Sequence, residues 1–457
     1  MATFKILTEN FVTKDRKYLI YDTSVSTLTW ENGTPIIENA RVQENVKNPA
    51  KINKGKHNLK VIKIQLGLSC NFECEYCSQR FVPRADETNP DYVDEFINNM
   101  DSWYKGDGFV KFEFWGGEPF VYWKTMKPLA EKLRIKYPDS VFSVITNGSL
   151  LDDEKNEWLA KLGFGVAISH DGPGQWVRGP DPFDDPESKK AILNLFKVLG
   201  PQDRISFNTM MNSKNTSRVA VQEWFVNLIK SELGEEFVKY LIIGEGAFID
   251  AYDEGGLANS LTHEEKDWEY RNFAAAEVRS GNADKFSVLT LKSQTFVNSI
   301  TNGTRLESLG QKCGMDRSDN IAVDLNGNVL TCQNVSPVSN NPAGISHHIG
   351  HVSNLEAVEV KTATHWSDRK ECPNCPVIHL CHGSCLYLTG DLWEVSCNNA
   401  FSDNLVYFCN TIESLTGYFP IYIDGPLRED RKDLFWIVNG KPDKLRKPKK
   451  VIPIMQG

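Results

Sequence analysis

The chain has 457 residues, is 40% hydrophobic and 11% aromatic, and carries a formal net charge of −9. It is too long for one ordinary core, so two or three domains are expected, and its acidic balance argues against non-specific nucleic-acid binding. The N-terminus, MATFKILTENF, has no signal pattern, and no apolar run approaches the roughly 18 residues of a membrane span, so a cytoplasmic protein without membrane contact is expected.

In that reducing compartment, eleven cysteines point to metal binding or redox chemistry rather than disulfides. Residues 1–58 read as short strands, such as KYLIYD and STLTW, ending in a Lys/Asn/Gly-rich linker. From residue 60 strands alternate with helices. The strands fall at 61–68, 109–115, 141–146, 164–169, 204–211 and 238–244. The helices fall near 90–104, 122–137, 152–162, 187–199 and 219–233, and one near 262–280 opens on a capping-box pattern, Thr262 with Glu265. This alternation predicts a parallel sheet with helical crossovers over residues 59–295, an open or closed α/β barrel with its chemistry at the carboxyl ends of the strands. After about residue 300 the alternation stops. Cysteines return among Gly/Pro/Asn-rich loops, predicting a small domain over 296–420 held by metal rather than by a large core. Residues 421–457 read as a basic tail. Its run KPDKLRKPKK (441–450) sets six basic residues against Asp443, a solvated end or, alternatively, a contact for an acidic partner peptide.

Just beyond the first strand, GLSCNFECEYCSQR gives Cys70-x3-Cys74-x2-Cys77 with no nearby fourth ligand. Three thiolates suit a four-iron, four-sulfur cube with one iron left open. Buried structural thiols, or zinc with a distant fourth ligand, are the alternatives. The spacing, with the aromatic Tyr76 just before the third cysteine, resembles the radical S-adenosylmethionine (SAM) superfamily. FWGGEPF (114–120), after the second strand, is similar to that family's Gly-Gly-Glu-Pro motif. The resemblance implies a partial (β/α)6 TIM-like barrel. It also implies that backbone at Gly116 and Gly117, with Glu118, holds the methionine amino group. Asn147 follows the third strand, and ISHDGPGQWVRG (168–179) resembles the family's Ser-x-Asp-Gly-Pro segment, which makes Ser169, Asp171 and Arg178 candidates for the ribose or carboxylate. Asn147 and Asp171 read equally well as turn formers before glycine. In the family the open iron binds S-adenosylmethionine, whose reductive cleavage yields a 5′-deoxyadenosyl radical that takes a substrate hydrogen.

The second cluster, CPNCPVIHLCHGSC, gives Cys372-x2-Cys375-x5-Cys381-x3-Cys385, and GNVLTC places Cys332 after Gly327. Zinc competes on spacing alone. The pattern is similar to the SPASM extension of radical enzymes, which carries two auxiliary iron–sulfur clusters. By that resemblance Cys372, Cys375 and Cys381 bind the outer cluster, with Cys397, at the opening of the helix NNAFSDNLVYFCNTIESL, as fourth ligand. Cys313, Cys332 and Cys385 bind the inner one. No cysteine occurs in TNGTRLESLGQK before Cys313, so the inner set has three thiolates. Cys409, in register with Leu405 and Ile412, reads as a core cysteine, with ligation as the alternative.

SPASM enzymes act largely on peptides and proteins. The sulfatase-maturing branch has a basic aspartate after the Gly-x4-Cys cysteine, whereas this chain has Gln333. The resemblance therefore implies maturation of a ribosomally made precursor peptide (a RiPP) by a C–C, ether or thioether crosslink, with flavodoxin or ferredoxin as electron donor. No catalytic side chain is assigned. Residues 1–58 are too short and strand-rich for a complete winged-helix leader module, so a leader is expected at an exposed strand edge or on a separate protein. The alternatives are an anaerobic sulfatase-maturating-type formylglycine enzyme and a non-catalytic electron-transfer or zinc-stabilised binding protein.

Overall fold

A computed structural model describes residues 2–41, 51–52, 54–85, 89–106, 109–244, 247–261, 264–432 and 434. The basic run 441–450, Thr262 and the Glu265 side chain lie outside this description. Among the described residues no helix is long and apolar enough to cross a membrane.

The chain opens with an antiparallel meander, β1 (Thr3–Glu9), β2 (Arg16–Asp22) and β3 (Thr27–Trp30). The alternating region follows: β4 (Val61–Gln65), α1 (Tyr92–Trp103), β5 (Lys111–Trp115), α2 (Trp123–Lys136), β6 (Val141–Thr146) and α3 (Asp153–Lys161). It continues with β7 (Phe164–Ser169), α4 (Pro186–Leu199), β8 (Ile205–Asn208), α5 (Arg218–Leu233) and β9 (Ile243–Gly244). These six strands pair in parallel in chain order, the partial (β/α)6 barrel.

Side-chain alternation explains the layering. Ile62, Ile64, Phe112, Phe114, Phe142 and Val144 are buried in one core with Val93, Phe96, Met126 and Leu129 of the helices. The opposite face carries Lys63, Gln65, Glu113 and Ser143. On that face the sheet curves round an open cavity of about 670 Å³, lined by Lys111, Glu113, Trp115, Ser143, Gly165 and Ser206 among others.

Four expected strands are shorter than their apolar runs: 61–68 ends at Gln65, 109–115 begins at Lys111, and two others are cut further. The strand expected at 238–244 is only Ile243–Gly244, because Gly234, at φ +105°, ends α5 and residues Glu235–Tyr240 wind into a 3-10 helix. The strand expected at 204–211 stops at Asn208. There the chain turns toward β7, with Thr209 Oγ1 donating to the His170 carbonyl and Met210 N to Asp171 Oδ1.

The helices α6 (Glu254–Ala258), α7 (Glu264–Ser280) and α8 (Ser287–Thr301) complete this half. The C-terminal part then adds β10 (Asn320–Asp324), β11 (Asn328–Leu330) and β12 (His348–His351) to the same sheet, β10 lying parallel to β4. It also has a small apolar cluster of its own, including Leu306, Met315, Trp366, Ile378 and Trp393. The short α9 (Ile378–Cys381) precedes α10 (Gly390–Thr416). Cys397 lies well inside α10 and does not open it, because the helix starts at Gly390. Finally β13 (Phe419–Asp424) pairs antiparallel with β1, so the first residues of the expected tail belong to the N-terminal sheet.

Candidate cofactor and cluster sites

The loop after β4 carries Cys70, Cys74 and Cys77, and it is short of regular structure because other loops hold it. Gly117 N donates to the Gly67 carbonyl (3.1 Å) and Glu118 N to the Ser69 carbonyl (3.0 Å), and the Tyr122 hydroxyl accepts from Ser69 N (2.6 Å). A Cβ on Gly117 would stand 2.4 Å from the Ser69 carbonyl oxygen and 2.5 Å from that of Leu68. The Gly-Gly pair is thus where the β5 loop docks on the cysteine loop.

Glu118 is buried. Its Oε1 accepts from Phe120 N (3.1 Å) and Thr146 Oγ1 (2.8 Å), and its Oε2 from Asn147 N (2.7 Å). Burial pushes its carboxyl up to about 7, against the pull of these donors and of Arg178. Three of its roughly four lone-pair sites face protein, leaving one on Oε2 for a cofactor ammonium. Asn147 Nδ2 donates to Asn71 Oδ1 (2.9 Å), tying the β6 loop to the cysteine loop.

The β7 loop supplies the cation. The Tyr76 hydroxyl donates to Asp171 Oδ2, and Arg178 Nη1 donates to the Tyr76 oxygen (2.9 Å). Arg178 Nη1 also lies 3.6 Å from Asp171 Oδ1, which accepts from Met210 N (3.0 Å). Asp171 is fully buried and both its oxygens are engaged, so it positions Tyr76 and Arg178. Ser169 is half-buried at the end of β7. Arg178 Nε is buried and has no partner, an orphan donor beside the three thiols. Burial raises the Cys74 and Cys77 thiols, Cys74 to about 12, and Arg178 opposes the rise at both. A guanidinium with a spare N–H fits a carboxylate, and three cysteines on one loop with no fourth ligand fit an iron–sulfur cluster with one open iron.

Residues 64–211 match the Radical SAM superfamily. The chain carries a radical SAM domain. That family implies S-adenosylmethionine and a four-iron, four-sulfur cluster as cofactors. The chain is 24% identical over 204 residues to the radical SAM cyclopropyl synthase TigE of Paramaledivibacter caminithermalis, covering 40% of this chain and 41% of that protein. It is 25% identical over 146 residues to the cysteine-type anaerobic sulfatase-maturating enzyme of Clostridium perfringens, covering 28% of this chain and 39% of that one. The matches therefore span about two fifths of each relative's length. Among solved structures, native anSMEcpe with bound AdoMet and Cp18Cys peptide superposes with a TM-score of 0.54 at 19% identity, covering 78% of this chain and 98% of that one, a likeness of fold.

Beyond the radical SAM domain, the later cysteines fall into two groups and one outlier. Cys372, Cys375, Cys381 and Cys397 line a single small cavity with Trp393, Phe401 and Arg431. Arg431 follows β13, and its Nη1 and Nη2 donate to Cys397 Sγ at 3.6 and 3.5 Å. Cys313, Cys332 and Cys385 form the second group, each within electrostatic reach of another, with Asp250 beside Cys385. Burial raises their neighbouring thiols too, Cys332 to about 11 and Cys375 to about 12. Cys409 is fully buried in the core with Leu405 and Ile412 and does not line the cavity. Among the described residues no three His, Cys, Asp or Glu side chains converge as a single-ion site requires. The outer cysteines surround a space.

Three side chains were not singled out by the sequence. Arg431 lies in the expected tail, in a segment without periodicity. Lys63 is buried on the concave face of β4, with Nζ donating to Gln333 Oε1 (3.4 Å) and 3.9 Å from Glu113. Gln65 Nε2 donates to the Gln333 (2.7 Å) and Val335 (2.5 Å) carbonyls. A usable signal for Lys63 and Gln65 existed: two polar residues at alternate positions of an apolar strand, VIKIQ.

Proposed function

We propose that this chain is a radical SAM peptide maturase that takes a side-chain hydrogen from a precursor peptide and installs a C–C, ether or thioether crosslink. The observation that carries this reading is the presence of two further cysteine groups behind the three-cysteine loop, four of them around one cavity. The relatives support it: one is a cyclopropyl synthase, and anSMEcpe has been captured with a peptide.

A bound cluster at Cys70, Cys74 and Cys77 would supply the electron that splits S-adenosylmethionine into methionine and the 5′-deoxyadenosyl radical. Arg178 would hold the cofactor carboxylate through its spare Nε–H. Backbone of Gly116 and Gly117, and the remaining lone pair of Glu118, would take the ammonium. Tyr76 and Asp171 fix the guanidinium, and the substrate side chain would be received at the carboxyl ends of the strands, where these loops meet. The four outer and three inner cysteines would hold the auxiliary clusters that accept the surplus electron, and a flavodoxin or ferredoxin would supply reducing equivalents.

Sulfatase maturation is the nearer alternative, given the Clostridium perfringens relative. Gln333 speaks against it. Its Oε1 accepts from Lys63, and an amide cannot take the proton that an aspartate would.

The test is anaerobic reconstitution with S-adenosylmethionine and dithionite. Wild-type chain should release 5′-deoxyadenosine, and a precursor peptide should lose two mass units per crosslink. Replacing Cys70, Cys74 and Cys77 with Ala should abolish 5′-deoxyadenosine while auxiliary-cluster absorbance remains. Undiminished cleavage in that variant, or a preparation holding zinc without sulfide, would sink the reading.

A further inference from the structure

Arg431 is 3% exposed. A buried guanidinium is costly unless it is paired. Its Nη1 and Nη2 point at Cys397 Sγ, Nη2 also donates to Asn398 Oδ1 (3.2 Å), and its plane lies 4.4 Å from the Phe401 ring centre. Its Nε is buried and unpartnered. No described Asp or Glu lies within ion-pair distance of it, although Asp430 and Asp267 act on it at longer range. The side chain it donates to besides Asn398 is the Cys397 sulfur, and it lines the cavity that Cys397 shares with Cys372, Cys375 and Cys381.

The segment is also held in place. Ile423 N donates to the Lys432 carbonyl and Leu434 N to that of Ile421, so the chain after Arg431 folds back on β13, and β13 is laced to β1. The charge is therefore presented to the outer cysteines by the N-terminal sheet.

We propose that Arg431 is the charge partner and hydrogen-bond donor of an iron–sulfur cluster held by Cys372, Cys375, Cys381 and Cys397. This rests on the outer-cluster assignment above. A cluster with four thiolates is anionic and becomes more so when reduced, so a fixed guanidinium donating to a ligand sulfur stabilises the reduced state most and also holds Cys397 on the iron.

The experiment compares reconstituted full-length wild type, Arg431→Met and Arg431→Lys. Iron and sulfide per chain, the rate of iron loss to a ferrous chelator, and an EPR-monitored dithionite titration are measured. Arg431→Met should shift the outer midpoint to more negative potential and speed loss of that iron by about tenfold, the worth of one charge-assisted bond. Arg431→Lys should recover most of both, since it restores the charge. An unchanged midpoint and loss rate in Arg431→Met would overturn the proposal. So would equal defects in Met and Lys variants, which would make Arg431 a packing residue against Phe401. Wild type holding no more iron than Cys397→Ser would overturn the outer-cluster assignment itself, and the two failures are distinguished by that iron count.

Discussion

Gly116 and Gly117 are adjacent in one motif, yet the structure separates their tolerances. A Cβ on Gly117 would meet the Ser69 carbonyl oxygen at 2.4 Å, the Leu68 oxygen at 2.5 Å and the Ser69 carbonyl carbon at 2.6 Å. All three are backbone of the cysteine loop, so no side chain can swing aside. Restoring ordinary contact distances requires the loop to retreat by about 0.6–1.0 Å, because carbon–oxygen contacts become tolerable only at roughly 3.0–3.4 Å. The same movement stretches the bonds from Gly117 N to Gly67 and from Glu118 N to Ser69. Overpacking costs about 1–3 kcal/mol and each lost bond about 1 kcal/mol, so Gly117→Ala should destabilise by roughly 3–5 kcal/mol. A shift near 1 Å at a reacting centre also reduces turnover by about a hundredfold. On Gly116 the nearest atom to a Cβ is the Gly67 carbonyl oxygen at 3.2 Å, followed by the Tyr122 ring at 3.5 Å. A displacement of a few tenths of an ångström suffices there, and Gly116→Ala should cost less than about 1.5 kcal/mol and a few-fold in rate. The assays are thermal melting and initial 5′-deoxyadenosine formation after anaerobic reconstitution. Equal damage from the two alanines, or a harmless Gly117→Ala, would refute the docking argument.

The remaining expectations follow from burial and grouping. Cys397→Ser should lower total iron, whereas Cys409→Ser should leave it nearly unchanged; iron analysis showing the reverse would exchange the roles of these two cysteines. His170 is buried, stacked on Trp224, and bonded at Nε2 to Asp181, with Nδ1 accepting from Gly172 N, and burial holds its pKa below the ordinary 6.5. The unfolded chain then binds more protons than the fold as pH falls below about 6.5, so stability present above that pH is lost toward the depressed value; urea midpoints should fall more steeply from pH 7.5 to 5 in wild type than in His170→Gln. Stripping iron should leave the amides of Ile321 and Val323 in β10 protected in hydrogen exchange while residues 372–385 lose protection, and equal loss at both would show that metal holds the whole C-terminal part.

Much of this was legible because it is local in the chain. Cys70, Cys74 and Cys77 share one loop, Cys372 to Cys385 fall within one short stretch of chain, and the Gly-Gly-Glu-Pro segment directly follows its strand. The barrel strands announced themselves by alternation: in KFEFW the phenylalanines are buried in the core with the helices, while Lys111, Glu113 and Trp115 are only half-buried. What the sequence hid depends on contacts between distant segments. Periodicity within β1 or β13 cannot say that they pair, and nothing near Arg431 announces a thiol partner. VKYLIIG has the composition of a strand, but its first three residues wind into the helix after Gly234 and only its last two pair at the open edge of β8. Cys397 was expected at the opening of the helix NNAFSDNLVYFCNTIESL, but the helix begins earlier, at Gly390. Asn399 is instead buried mid-helix, its Nδ2 donating to the Ile249 carbonyl and Ser260 Oγ.

The pairing of β10 with β4 bears on how the three cysteine groups work together. Asp324 stands opposite Gln65, a few residues before Cys70 on one strand and before Cys332 beyond the neighbouring hairpin. Gln65 reaches across to the Gln333 and Val335 carbonyls, and Gln79 Nε2 donates to Asn334 Oδ1 (3.1 Å), so the two cysteine loops are bonded directly to each other. A flexible tether would let the separation between the first and inner groups vary. A shared ladder with loop-to-loop bonds fixes it. The outer group is held differently, by α9, α10 and the segment after β13, which packs through β1 on the N-terminal sheet. The meander at the start of the chain therefore acts at long range: it carries the strand that sets Arg431 against Cys397, and disturbing β1 should register first at the outer cysteines and last at the loop of Cys70.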